Sequence, residues 1–338
     1  MDWMGSRVGA AQRWPAGLSR QLPRAGKPGI ATSRAALAIR DLCHSTGWWV
    51  RAAFGVASGA AGLGGLGRRG ADVVGVPTRA GLLAQLVSAR IAGDVATPRS
   101  NSVGNMRMLS DGDPDKLLGL DLGDRWPFER VLALLAERSG KPAVELPAGG
   151  DYIDPENTVA ALERMAVVLR EAAADRARVL LATGHPGGLL GTHLAIATAL
   201  AAAGAQLVTV PPGIVTDVGD VRQVGGVAAM HAHAGLRHTH SPEPMRRVLA
   251  ALNRAGEPRP ELVVADHGWA GQAGQSGIRT VGFADCNDPA LFVAEAEGTL
   301  AVTVPLEDNQ SFDRYEPMNA YLLATAGLPE PSPAAAVG

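Results

Sequence analysis

Cysteine is almost absent from the chain. Cys43 and Cys286 are the two cysteines among 338 residues, and they form no CxxC pair. That excludes a disulfide framework and a thiolate zinc site, and it fits a reducing, cytoplasmic setting. Aromatic residues make up 4% of the chain, too few for the stacking platforms that hold single-stranded nucleic acid. Acidic residues are scarce in one place: positions 1–75 carry ten Arg or Lys against three acids. The remainder is therefore net acidic, although the whole chain is only −2. No basic stripe is left in the part expected to fold, which argues against a nucleic-acid partner. Hydrophobic residues reach 46%, enough for a full core.

The first 75 residues are Arg-rich, broken by Gly and Pro, and keep no helical or strand period. Their longest uncharged run, Ala52–Gly67, is shorter than a membrane span. A transit peptide shares this composition, and a displaced secretory segment before Arg68-Arg69 shares part of it. The reading adopted is a disordered extension, or translated sequence upstream of a later start, because such a segment buries too little apolar surface to offset its ordering entropy. Residues 331–338 are read as a disordered tail.

From Val76 the pattern changes. "TRAGLLAQLVSARIAG" predicts a helix capped by Thr78, and a polar loop, "GDVATPRSNSVGNMRMLSDGDPDK", follows. A helix is expected over 127–138, and a longer one after Asp154-Pro155, an N-cap followed by Pro at N1. Short apolar runs then alternate with helical stretches: "RVLLATG", "QLVTVPP", "ELVVAD", "RTVGFAD" and "LAVTVPL" read as strands, with a hairpin-like "GGVAAMHAHAGLRHTH" among them. Alternation of this kind implies βαβ units. The predicted fold is one α/β domain over 76–330, a three-layer Rossmann-like unit with a mainly parallel sheet over 145–330. A helical N-terminal segment, 76–140, is expected to pack on it. There is no internal repeat.

In an open α/β sheet, ligands bind beyond the carboxyl ends of the strands. Four expected strand ends carry polar turns: Thr183–Gly188, Arg237–Pro244, Ala265–Gly271 and Ala284–Pro289. In "TGHPGG", Thr183, Gly184, Gly187 and Gly188 offer backbone N–H groups at a helix start, suited to an anion. The stretch is neither a P-loop nor GxGxxG. His185 is the candidate proton carrier there, and His193, within the helix, reads as structural.

His231/His233 and His238/His240 are two HxH pairs, and residues i and i+2 of a strand share a face. The first pair reads as part of a half-buried strand; the second, before a Pro turn, reads as metal-binding. "HTHS" resembles an element of the polymerase-and-histidinol-phosphatase metallophosphatases, but the further histidines of that set are missing. "RHT" with "DHG" resembles parts of the histidine phosphatases, at the wrong separation. Asp266, Asp285 and Asp288 supply carboxylates for a divalent ion (Mg, Mn or Zn), the first two beside His238 and His240. His267 or Asp266 could serve as general acid or base. Asp288-Pro289 also reads as an N-cap with Pro at N1, and Asn287 as a substrate contact. Cys286, beside Asp285, is a poor nucleophile. In the loop 93–101, Asp94, Arg99 and Asn101 could meet an anionic substrate, Arg99 through paired hydrogen bonds.

"RIAGDVATPRSN", "LGLDLGDRWP", "LLATGHPGGLL", "RHTHSPEPM", "LVVADHGWAGQAGQSGI", "VGFADCNDPALFVAEAEG" and "VTVPL" together closely resemble a family of actinobacterial proteins catalogued as "phosphatase", over about residues 76–328. The resemblance implies a phosphoric-ester hydrolase, here on a small phosphorylated metabolite with a divalent metal. A weaker similarity in outline to D-glutamate cyclase-type α/β proteins keeps a lyase or cyclase on a hydroxy or amino acid as the alternative, beside a non-catalytic metabolite-binding protein. The expected partner is a small anionic molecule, with no nucleic acid and no membrane; a homo-oligomer is compatible with the sequence.

Overall fold

The computed structural model describes residues 75–140 and 149–329. The expectations for 1–74 and 331–338 lie outside the described residues. Helix α1 (Arg79–Ser88) begins where Thr78 accepts a hydrogen bond from the Gly81 N–H at 3.1 Å. The chain then forms strand β1 (Gly93–Pro98), helix α2 (Arg99–Ser110), a one-turn helix α3 (Pro114–Leu117) and helix α4 (Phe128–Ser139). Strand β2 (Gly150–Ile153) pairs antiparallel with β1. The polar loop expected over 93–116 is thus a correction. Its strand and helix escaped notice because α2 buries Arg99, Ser102 and Asn105 along with Val103, Met106 and Leu109, so no apolar period shows.

Helix α5 (Pro155–Ala174), N-capped by Asp154, leads into β3 (Arg178–Thr183), α6 (Pro186–Ala202) and the two-residue β4 (Gln206–Leu207). Strands β5 (Val215–Thr216), β6 (Gly219–Val224), β7 (Val227–Ala232) and β8 (Gly235–Arg237) follow. The rest is α7 (Glu243–Arg254), β9 (Leu262–Asp266), α8 (His267–Gln275), β10 (Arg279–Ala284), α9 (Pro289–Ala296), β11 (Val302–Pro305) and α10 (Glu316–Ala326). The main sheet runs β11-β10-β9-β3-β7-β6-β5, parallel from β11 to β7 and antiparallel beyond. Beside β3, β4 and β7 follow one another along the edge opposite β9.

Alternate residues of each strand feed opposite layers, as the pleat requires. Val179, Leu181, Val264, Val281 and Phe283 pack with α1, α5, α6 and α10. Leu180, Ala182, Val263, Ala265 and Ala284 pack with α2, α4, α7, α8 and α9. The result is the expected three-layer, mainly parallel α/β unit. The helices of residues 79–139 divide between both outer layers; they do not form one segment laid on the sheet. Among the described residues, no helix is long and apolar enough to cross a membrane.

After β3 the chain turns toward β4 and β7, whereas β9, β10 and β11 step away on the other side. The point where strand order reverses lies between β3 and β9, and a crevice opens there at the carboxyl ends.

Candidate active site

Three parallel strands end at this crevice in ionisable residues. His185 follows β3, Asp266 ends β9 with His267 opening α8, and Asp285 follows β10 with Asp288 before α9. A fourth end was missed from sequence: β11 is followed by Glu307 and Asp308, both buried. The signal was present, since the two acids stand directly after the buried run "VTVPL".

His238 and His240 arrive by a different route. They follow β8, which runs antiparallel to β7 and descends to the level where β3 ends. There the Thr239 N–H donates to the Gly184 carbonyl at 2.8 Å. Two glycines permit this close passage. A Cβ on Gly184 would overlap the Thr239 carbonyl, and one on Gly268 would overlap the His240 and Ser241 backbone. These glycines therefore seat the histidine segment.

The anion cradle expected at Thr183–Gly188 is not formed, and this is a correction. The Gly184 and His185 N–H groups donate to Asp266 Oδ1 at 2.6 and 3.1 Å, and the Thr183 hydroxyl to Asp266 Oδ2 at 2.6 Å. Gly187 is exposed outside the cavity, and Gly188 packs against the Asp308 carbonyl. Asp266 itself is fully buried behind the site, also bonded to His267 Nδ1 at 2.9 Å. It belongs to no group of candidate metal donors, contrary to its expected ligand role. His193, buried with Nδ1 2.9 Å from the Leu189 carbonyl, lies behind Asp266 and is structural in position.

Other candidates are also relocated. Arg99 is 2% exposed and paired with buried Asp151 at 3.3 Å, so it is an internal strut and not a substrate clamp. Asp94 is an exposed residue of β1 opposite Tyr152, away from the cavity. His231 bonds Asp220 at 2.8 Å, and His233 lies in the turn after β7 with φ +53°, so that pair shares no site.

The remaining candidates converge. A polar cavity of about 470 Å³ is lined by His185, His238, His240, His267, Asp285, Asn287, Asp288, Glu307 and Asp308. Thr97, Asn101 and Asn105 from β1 and α2, with Lys116 from α3, form the opposite wall. The Thr97 hydroxyl donates to Asp285 Oδ2 at 2.7 Å, and the N–H groups of Ala96 and Thr97 donate to Glu307 Oε2 at 3.2 Å. Asn105 Nδ2 reaches the Asn287 carbonyl at 2.7 Å. A larger hollow at Pro211–Val215 and α7 holds none of these residues.

The charges are strongly coupled. Burial opposes a charge on His267, but Asp288, Asp266 and Asp308 outweigh it and push the imidazole up to about 10. Its Nε2 lies 3.2 Å from Asp288 Oδ2 and 3.5 Å from Asp308 Oδ2. Burial and the neighbouring His267 hold His238 down to about 4; burial does the same to His240 against the pull of Asp288. His185 is lowered by burial and by His267. Burial lifts the carboxyl of Asp308 to about 7, against His267 and helped by Asp288 and Asp266. Asp285 is raised by burial, Asp308 and Glu307, and the Cys286 thiol by burial and Asp285, which removes it as a thiolate nucleophile.

A cation fits this donor set. His238, His240 and His267 bring nitrogen donors within 4.8 Å of one another, and His267, Asp288 and Asp308 do the same with one nitrogen and two carboxylates. Asp266 fixes the His267 ring through Nδ1 and leaves Nε2 facing the carboxylates, the usual buttress of a metal-binding histidine.

An α/β unit with a crevice at its switch point and a mixed imidazole–carboxylate cluster in it describes a class of small-molecule enzyme sites. The chain belongs to the family described as Phosphatase, whose model matches residues 77–330. Phosphatase SCO2771 of Streptomyces coelicolor is 56% identical over 259 residues, covering 76% of this chain and 99% of that protein.

Proposed function

We propose that the protein is a phosphoric-ester hydrolase acting on a small phosphorylated metabolite with a divalent metal ion in the switch-point cavity. The observation that carries this reading is the convergence of four histidines and four carboxylates on one polar cavity of about 470 Å³. Membership of the family and the name of the 56% identical relative support the reaction class.

His238, His240 and His267 Nε2 are the residues that would hold the ion, with Asp288 and Asp308 beside them. A bound divalent ion would neutralise charge on phosphoryl oxygens and acidify a water. The chain's own groups do the rest. Asp266 orients His267 from behind. His185, kept neutral by burial, faces the cavity with Nε2 4.0 Å from Asp308 Oδ1 and accepts the proton of the attacking water. Water adds to phosphorus, the bond from phosphorus to the ester oxygen breaks, the ester oxygen takes the proton that His185 held, and an alcohol and inorganic phosphate leave. Lys116 meets the anion, and the amides of Asn101 and Asn287 meet hydroxyls of the alcohol part. No aromatic side chain other than the imidazoles lines the cavity among the described residues, so the alcohol part is polar rather than a stacked base.

The cyclase alternative relied on Arg99 to hold a carboxylate, and its burial against Asp151 takes away that support. Release of inorganic phosphate from a broad panel of small phosphomonoesters tests the proposal. No release from any member, with metal supplied, would overturn it.

A further inference from the structure

With every carboxyl ionised, the wall of the cavity would carry more negative charge than Lys116 and His267 together balance. Asp285, Asp288, Glu307 and Asp308 line it, with Asp266 directly behind His267. Among the described lining residues, Lys116 is the one Lys or Arg. A phosphomonoester brings up to two more negative charges at neutral pH. With His267 neutral once Nε2 is a donor, one divalent ion leaves the wall net negative before the substrate arrives. Two bring it to neutrality.

We propose that the cavity holds two divalent cations in unlike donor sets: one on the imidazoles of His238, His240 and His267, the other on the carboxylates of Asp285, Glu307 and Asp308, with the phosphoryl group contacting both. This rests on the hydrolase reading above.

Each set brings its donor atoms within 4.8 Å of one another, and the two sets share no residue. A third group, His267, Asp288 and Asp308, takes one donor from each and adds Asp288, so the positions are neighbours. Asp308 supplies an independent sign. It is 6% exposed and lines the cavity, yet among the described residues its carboxylate accepts no hydrogen bond and meets only ion-pair partners, with Oδ1 4.0 Å from His185 Nε2 and Oδ2 3.5 Å from His267 Nε2. Asp285 and Glu307 are held in place by Thr97 and the backbone of β1, which leaves lone pairs on both for a cation. The sets also differ in preference. Imidazoles suit Zn, Cu, Fe or Ni, whereas an all-oxygen set suits Mg, Ca or Mn. Mn²⁺ is the probe ion, because it fills an all-oxygen set, also takes imidazole nitrogen at high enough concentration, and is paramagnetic.

The test uses the full chain, stripped with a chelator and reloaded with Mn²⁺ alone. Metal per chain is measured after free ion is removed, and the paramagnetic resonance spectrum is recorded. Two Mn²⁺ per chain with a spin-coupled signal are expected. The double variant His238→Ala/His240→Ala should keep one, and Asp285→Asn/Glu307→Gln should also keep one. One Mn²⁺ per wild-type chain, or only the spectrum of isolated ions, would overturn the proposal; the spectrum needs no variant to fold. Two bound Mn²⁺ with no phosphate released from any ester would keep the metal pair and sink the hydrolase reading. One bound Mn²⁺ with phosphate release would do the reverse.

Discussion

His267 Nδ1 and Asp266 Oδ1 stand 2.9 Å apart, although the two residues are consecutive. Successive side chains of a strand point to opposite faces, so a regular β9 could not make this contact. His267 makes it by taking φ +49° as α8 begins, a conformation costing about 1–3 kcal/mol in a non-glycine residue. The same Asp266 oxygen also receives the Gly184 and His185 N–H groups, which ties the end of β3 to that of β9. One carboxylate thus sets the position of both His185 and His267.

Asp266→Asn removes the charge beside His267 and, with its oxygen kept toward the N–H donors, turns an NH2 onto the Thr183 hydroxyl that now donates to the carboxylate. The expected loss is about 3–5 kcal/mol of unfolding free energy, as for a buried pair deprived of one partner. Metal affinity should fall about 10–100-fold through the unbuttressed His267. Urea unfolding and Mn²⁺ titration check the two effects separately.

Arg99→Ala should destabilise the fold by about 3–5 kcal/mol, because buried Asp151 loses its cation. The KM of the folded fraction should stay near the wild-type value. A large rise in KM with unchanged stability would restore Arg99 as a substrate clamp.

Gly268→Ala tests the seating of the histidine segment. The added methyl meets backbone atoms of His240 and Ser241, which cannot rotate away. Overpacking of this kind costs about 1–3 kcal/mol. The variant should bind metal more weakly than wild type while remaining folded, as judged by circular dichroism and metal titration.

Above about pH 7, where the lowered imidazoles of His185, His238 and His240 are neutral folded or unfolded, chelator-stripped protein should lose stability as pH rises. Asp308 moves from an ordinary 3.8 to about 7 on folding, and His267 from 6.5 to about 10. In both cases the folded state binds more protons than the unfolded chain, so unfolding free energy falls with pH. The contribution of His267 is complete below about 6.5 and is lost as pH rises through about 10. That of Asp308 is complete below about 3.8 and is lost through about 7. Divalent cation should flatten the profile by replacing those protons, and thermal melts from neutral to alkaline pH check this.

The sheet and the crevice were legible because β3, β9, β10 and β11 are continuous apolar runs ending in polar turns. His185, His238, His240, His267, Asp285 and Asn287 were reached by that reasoning and do meet in the cavity. The glycines of "TGHPGG" misled: a glycine-rich turn looks the same whether its amides face a ligand or a neighbouring carboxylate, and here they face Asp266. Arg99 misled because a charged residue after a polar run looks exposed, and nothing local reveals Asp151, 52 positions away, as its partner. Glu307 and Asp308 were passed over because no helix follows β11 at once, so that strand end did not match the others.

The most direct test is the rate of inorganic phosphate release from small sugar and polyol phosphates, measured on chelator-stripped protein before and after Mn²⁺ is restored. The account predicts almost no release from the stripped protein and recovery on reloading, with His267→Ala inactive in both states. Full activity in the stripped protein would contradict it.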